Sequence, residues 1–267
     1  MSDHPVGEDQ SSRDASSSEA QFNRHAAKYA ASEVHRHGPS LPALLAAADP
    51  HAGDVALDVA TGTGNTALAL APHVAQVTGL DLAGGMLAHA RDRAAQEGVP
   101  NATFVTGSAE AIPFPDGSFT LVTSRHAPHH FRDLPRFLAE ARRILKPGGR
   151  LVIADQISPA PDLQAWIDAY QRRRDPSHHA QRTVPAWQAL AREAGLRWAG
   201  ETLVPYRLEF AWWTAQSGST PDTVQALREM VAALTTPQQA AIGAEFDTAG
   251  QLSAHVDQMM VARLERD

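Results

Sequence analysis

Apolar positions along this chain come in short runs separated by turn-forming residues. "DVALDVA" (54–60), "AQVTGLD" (75–81), "ATFVTG" (102–107), "SFTLVTS" (118–124) and "RLVIAD" (150–155) are each a few residues long and bounded by Gly, Pro, Asn, Asp or Ser. That is the pattern of strands buried on both faces. Between them, "GGMLAHARDRAAQEG" (84–98) reads as a helix ended by Gly98, and Phe131 to Leu145 as a helix stopped by Lys146-Pro147-Gly148-Gly149. Two helices precede the strands: Phe22 to His37, stopped by Gly38-Pro39, and Leu41 to Ala48. Strands alternating with helices at this spacing predict β-α-β units. After Pro161 the pattern changes, with helical stretches at Asp162 to Arg174 and Val184 to Gly195 and a strand at Trp198 to Leu208. A mostly helical segment follows. "HVDQMMVARLE" (255–265) alternates as a half-exposed terminal strand would.

The expected architecture is therefore α/β: a Rossmann-like, seven-stranded, mostly parallel sheet with helices on both faces, N-terminal helices and a C-terminal, partly helical cap. Residues 1–20, polar and Ser-rich, read as a disordered tail, 21–160 as the core, and 161–267 as a substrate-covering region with the last strands.

Composition narrows the function. A chain of 267 residues suits one elaborated domain. A formal net charge of -7 argues against a nucleic-acid surface, which needs clustered Lys and Arg. The run Arg172-Arg173-Arg174 is short, is followed by Asp175, and fits a solvated helix face. There is no cysteine, which excludes disulfides, thiolate metal sites and cysteine nucleophiles. No apolar run reaches the length of a membrane span and the N-terminus has no signal-peptide core, so cytoplasm is the default location.

The stretch "ALDVATGTGNTALAL" (56–70) is a strand, a tight turn and a helix start, the way a nucleotide-shaped cofactor is gripped. Gly62-x-Gly64-x-x-Ala67 formally fits the dinucleotide fingerprint, which alone is a weak signal. Three features bear on the choice. Asp58 lies inside the first strand, where a dinucleotide fold normally has an apolar residue, and a buried carboxylate wants a partner such as the ammonium of a methionine moiety. Asp81 closes the second strand, where a carboxylate can accept both ribose hydroxyls of either cofactor. "GSAEAIPFPDGSFTLV" (107–122) places a polar loop and a Pro-rich turn where an adenine edge can be wrapped.

"LDVATGTGNTAL", "TGLDLAGGML", "GSAEAIPFPDGSFTLV" and "EARRILKPGGRLVIAD" occur in this order and closely resemble the class I S-adenosylmethionine-dependent methyltransferases, in the group around the ubiquinone/menaquinone-biosynthesis enzymes. The resemblance covers roughly Phe22 to Asp155. It implies S-adenosyl-L-methionine as cofactor, with Asp58, Ala60, Gly62, Thr63 and Gly64 at the methionine end. It implies Asp81 on the ribose, Leu82 and Met86 near the adenine, and Ser108 and Ala109 at the adenine edge. Ser108 departs from the family's Asp, and a hydroxyl cannot match a carboxylate's charge-assisted bond. Glu110 next door could take over that bond. Ser124 would face the reacting centre, and Tyr29 would close over the cofactor.

For catalysis, "SRHAPHHFRD" (124–133) sets His126, His129 and His130 beyond a central strand, where the crevice of a parallel sheet lies. No carboxylate stands at a clear ligand spacing, so no metal is expected. His130-Phe131 resembles a family pair that packs the next helix, leaving Arg125 and His126 toward the substrate. His35, on the same helix face as Tyr29, and His178 in "DPSHH" are the other candidate bases, since an imidazole titrates near neutrality. All five tryptophans fall after Pro161, which suits either plain core packing or an aromatic-walled pocket. The expected activity is methylation, on carbon or oxygen, of a small, partly apolar acceptor. An NAD-type oxidoreductase and a non-catalytic binder are the alternatives, and a homodimer is compatible.

Overall fold

The computed structural model describes residues 38–267. The expected tail and the helix at 22–37, with Tyr29 and His35, lie outside the described residues. The core runs α1 (Ser40–Ala48), β1 (Val55–Val59), α2 (Asn65–Leu70), β2 (Gln76–Asp81), α3 (Gly84–Gln96), β3 (Ala102–Thr106), β4 (Phe119–Arg125), α4 (Leu134–Ile144) and β5 (Leu145–Ile157). The remainder runs α5 (Gln164–Arg174), α6 (Val184–Glu193), β6 (Arg197–Glu209), α7 (Phe210–Gln216), α8 (Pro221–Ala232), α9 (Thr236–Ala241), β7 (Glu245–Phe246) and β8 (Leu252–Glu265).

The strands form one sheet in the order β3-β2-β1-β4-β5-β8-β6. The first five are parallel, while β8 runs antiparallel between β5 and β6. The seven expected strands are all in that path; only the two-residue β7, paired to β8, was not foreseen. β8 differs from expectation. It is a central strand with a neighbour on each side, and Met259, Met260, Val261 and Ala262 are buried in succession rather than alternately.

Burial on both faces explains the near-continuous apolar strands. Leu57, Val122, Leu151 and Ile153 face one core with α4 and α6, and Ala56, Leu121, Val152 and Ala154 face the other with α1, α2 and α3. Each such Leu or Ile adds about 1.5–3 kcal/mol relative to exposure, so the sheet is the rigid base of the molecule. α4 shows the local logic. Leu134, Phe137, Leu138, Ala141 and Ile144 recur at helical spacing and are buried, and Asp133 caps the helix by accepting the Arg136 amide at 2.9 Å. The helix starts later than expected because Pro128–His130 form a separate tight turn. A third cluster, including Ile167, Tyr170, Phe210, Trp213 and Leu227, packs a cap onto Tyr206 and Leu208 of β6 and Met259 of β8.

Arg150 ties α1 to the sheet. Its guanidinium donates to both oxygens of Asp54, at 3.2 and 2.6 Å, and to the carbonyls of Ala48 and Asp49. Burial alone would raise the Asp54 carboxyl, but hydrogen bonds from Arg150, Thr120 and the His51 amide outweigh it and hold it at about 2.

Candidate active site

The sheet order reverses between β1 and β4, where a doubly wound sheet opens a crevice beyond its strand ends. Both strands leave through left-handed backbone at a residue other than glycine: Ala60 at φ 55 after β1 and His126 at φ 54 after β4. Such conformations cost on the order of 1–3 kcal/mol each and persist only where the surroundings enforce them. Here they turn both chains outward to line one cavity of about 300 Å³, at the small end of the range for ligand sites.

At one end of the cavity stand Ala60, Gly62, Thr63, Asp81, Leu82, Met86, Ser108, Ala109 and Glu110, as the sequence led us to expect. The Asp81 carboxylate accepts the Gly62 amide at 2.7 Å and the Ala83 amide at 2.9 Å, which locks the β1 turn to the end of β2. Burial raises its pKa against the pull of those amides. Gly62 has φ +55, with nothing within 4 Å of where a Cβ would stand, so its backbone is open to a ligand. Gly64 works differently. At φ +81 a Cβ there would lie 3.1 Å from Ala90 Cβ and 3.2 Å from the Phe104 ring, so it serves packing against α3 and β3 rather than ligand approach.

Besides Gly64, two expected residues are not on the wall. Asp58 is 1% exposed, and both its oxygens are taken by hydroxyls, Thr61 at 2.6 Å and Thr123 at 2.8 Å. Burial lifts it to about 6 despite those bonds. It braces the turn from beneath. Ser124 is fully buried on the sheet face shared with Val122, and its hydroxyl has no partner. The ends of β4 that reach the cavity are Arg125 and His126 instead.

Glu110 lines the cavity, but one carboxylate oxygen accepts the amides of Arg132 and Asp133 at 2.9 and 3.0 Å, just ahead of α4. The loop after β3 is clamped from behind. Glu140 accepts the Ile112 amide at 2.9 Å, and Arg143 donates to the carbonyls of Ile112 and Phe114 at 2.9 and 2.8 Å while pairing with Glu140. That is the role of "EARR" in the fourth motif.

The other end of the cavity is assembled from distant segments: His126, Gln156, Gln171, Arg174, His178, Tyr206, Trp212, Trp213, Asp257 and Met259. Ser40 joins three of the surrounding elements. Its hydroxyl meets Tyr206 Oη at 2.9 Å and His126 Nε2 at 3.2 Å, and accepts from Arg125 at 3.1 Å. Trp213 carries Arg174 over its ring at 4.5 Å and stacks on Tyr170 at 5.1 Å. Of the five tryptophans only Trp212 and Trp213 reach the cavity. Trp187 is 1% exposed in the sheet core, Trp198 packs against the same core, and Trp166 stacks on Tyr170.

Three histidines crowd the same end. His129 Nδ1 lies 2.6 Å from Asp155, His130 Nδ1 lies 3.0 Å from the Ser177 carbonyl, and His178 Nε2 lies 2.9 Å from Asp168. Burial lowers His129 to about 3 and His130 to about 3, each further depressed by its histidine neighbour. Burial also raises Asp155 to about 7. Among the described residues no three histidine or carboxylate groups are placed to hold a metal ion.

Sequence reasoning named His126, His178 and the tryptophans of this second end but missed Gln156, Gln171, Arg174, Asp257 and Met259. A partial signal existed: Gln171 and Arg174 lie three apart on α5, and Asp257 and Met259 two apart on β8, each pair sharing a face.

A doubly wound sheet with this cavity at its switch point defines a nucleotide-cofactor α/β enzyme, and comparison with known proteins narrows it. Residues 57–153 match the methyltransferase domain model. An uncharacterized methyltransferase of Bacillus subtilis, YcgJ, is 33% identical over 205 residues, spanning 76% of this chain and 81% of that protein. Its crystal structure superposes with a TM-score of 0.81 at 28% identity, covering 86% of this chain and 99% of that one. The demethylmenaquinone methyltransferase of Thermus thermophilus is 45% identical over 117 residues, 43% of this chain and 52% of that enzyme. The chain belongs to the S-adenosylmethionine-dependent methyltransferases. The oxidoreductase alternative is displaced by that membership. Among the described residues no helix is long and apolar enough to cross a membrane.

Proposed function

We propose that the protein methylates carbon or oxygen of a small, partly apolar acceptor, with S-adenosylmethionine at the Asp81 end of the cavity and the acceptor at the Trp213 end. The observation that carries this reading is one cavity lined by both ends, where Leu82, Met86, Trp212, Trp213 and Met259 give apolar and aromatic wall among many polar side chains. The residues at the first end fit the cofactor. Asp81 offers acceptor lone pairs to ribose hydroxyls, Gly62 leaves its backbone accessible, and Leu82, 41% exposed, with Met86 and Ala109 gives apolar surface for an adenine. Ser108 and Ala109 would meet the adenine edge, while the Glu110 bonds to the α4 entry leave its second oxygen for that role.

Bound S-adenosylmethionine supplies an electrophilic methyl group on a sulfonium. The protein has to bring the acceptor in line and keep water out, which positioning alone rewards strongly. Trp212, Trp213 and Tyr206 supply the apolar walls for that, and Arg125 and His126 stand where the two ends meet. The relatives named for demethylmenaquinone and ubiquinone/menaquinone biosynthesis support a quinone-like acceptor. The acidic, cysteine-free composition supports a cytoplasmic enzyme acting on small molecules rather than nucleic acid. Methyl transfer from labelled S-adenosylmethionine to a panel of phenols, quinols and fatty or polyprenylated quinols tests the reading. Product from the phenols or quinols supports it, and transfer only to amines or to protein overturns it.

A further inference from the structure

We propose that His178 is the general base of the transfer, oriented by Asp168, and hence that the acceptor is a molecule with an acidic hydroxyl, a phenol or enol, which loses its proton as it is methylated. This rests on the methyltransferase reading above.

Asp168 lies on α5 and His178 in the turn that follows it. One Asp168 oxygen lies 2.9 Å from His178 Nε2 and accepts the Gln181 amide at 2.8 Å. An ionised carboxylate only accepts, so Nε2 carries the hydrogen and Nδ1 keeps its lone pair. No group among the described residues is bonded to Nδ1, and the ring lines the cavity. The dyad is buried, His178 at 4% and Asp168 at 7% exposure. The turn that carries it is fixed from both sides. Ser177 donates its amide and hydroxyl to Asp175, at 2.9 and 2.6 Å, and the amides of His179 and Ala180 donate to the His129 carbonyl at 2.9 and 3.0 Å. Those bonds hold the ring in the cavity wall without using its nitrogens.

Each neighbouring histidine also has one ring nitrogen bonded, and burial disfavours a proton on His129 and His130. His129 is bonded to Asp155, His130 to Ser177, and His126 to Ser40 in the hydroxyl network. Among the described residues the charged and titratable groups around the His178 ring are Asp168 on α5, His129 with its ring 5.6 Å away, His130 and the Asp155 carboxyl behind it, His179 next along the turn, and Arg174 and Asp175 on the same cavity wall. In the step itself the acceptor's oxygen, or the carbon conjugated to it, forms a bond to the methyl carbon as the methyl–sulfur bond breaks. The electron pair of that bond stays on sulfur. The hydroxyl proton passes to Nδ1, and the imidazolium so formed faces the Asp168 carboxylate. Asp168 acts through His178 and is a positioning residue.

The test uses the full chain, S-adenosylhomocysteine and 4-nitrocatechol, a phenol whose ionisation is visible by absorbance. Nitrogen-15 spectra of the histidine-labelled homocysteine complex should show His178 with a hydrogen on Nε2 and a pyridine-type Nδ1, and Asp168→Asn should redistribute the hydrogen between the two nitrogens. The wild-type complex should bind the probe ionised at a pH where free probe is protonated, and His178→Ala should lose that band with unchanged homocysteine affinity. With S-adenosylmethionine, His178→Ala should methylate the probe about 10²–10⁴-fold more slowly. A hydrogen on Nδ1 in the wild type overturns the proposal even if the probe is not taken up. So does an unchanged ionised band or an unchanged rate in His178→Ala. Failure of the wild type to bind S-adenosylhomocysteine counts instead against the methyltransferase reading.

Discussion

The two ends of the cavity are built from opposite materials. The Asp81 end is made of backbone turns that directly follow strands, within one stretch from β1 to the loop after β3. The Trp213 end is made of side chains contributed by the turn after β4, by β5, by α5 and the turn after it, and by β6, α7 and β8, far apart in sequence. Backbone turns at the ends of a buried parallel sheet are fixed by the sheet itself. The far end depends on a cap with its own small core, which a family can vary without disturbing the first end.

Substitutions can break or sharpen this contrast. The largest expected effect lies beneath both ends. Trp187→Ala removes a fully buried ring from the core shared by α4, α6 and the sheet, and should cost about 3–5 kcal/mol in denaturant unfolding. Both ligands should then bind less well near the melting temperature. If stability is unchanged, the sheet core is not the common base of the site.

Asp81→Ala should separate the ends. It should weaken S-adenosylhomocysteine binding in calorimetry by about 1.5–3 kcal/mol, the range for hydrogen bonds to a charged group. The Trp213 end should keep its geometry, because among the described residues the Asp81 bonds reach backbone amides of the β1 turn and the end of β2. Trp213→Leu is the converse. It removes the stack on Tyr170 and the seat of Arg174, worth about 0.5–1.5 kcal/mol. The acceptor KM should rise while homocysteine affinity stays the same; an equal loss of both would mean the ends are coupled through the cap.

The smallest effect at neutral pH concerns His129 and His130. Burial lowers both to about 3, so they stay uncharged and change nothing near pH 7. Folding disfavours their protonated forms. The stability they provide is therefore complete above the unfolded imidazole pKa, about 6.5, and is lost as pH falls from there toward their folded values. Nitrogen-15 NMR should show neither ring as an imidazolium between pH 5 and pH 8; an imidazolium signal inside that window would mean the pocket admits water.

The difference between the ends also explains what could be read from the chain. Short apolar runs announced the parallel strands, and Gly62, Asp81, Leu82 and Ser108 were legible because a turn that follows a strand is contiguous in sequence. Asp58 was recognised as unusual but misplaced on the wall. An aspartate inside a strand signals burial, and only the fold shows that Thr61 and Thr123 are its partners. Ser124 was misplaced because alternation along β4 turns it toward α4, while the left-handed bend at His126 redirects the next residues. Trp187 and Trp213 look alike in sequence, yet one is core and the other wall. A separation of 10 in sequence gives no hint that Asp168 and His178 pair, since the helix and its return turn bring them together only in the fold.

The most direct test of a single cavity with two unlike ends is a crystal structure of the full chain with S-adenosylhomocysteine. The ribose should lie on Asp81 and the adenine between Leu82 and Ala109, with the sulfur turned toward His126 and the Trp213 end left open to the acceptor. An S-adenosylhomocysteine molecule bound across Trp212, Trp213 and Arg174, with Asp81 still bonded to backbone amides alone, would contradict the account.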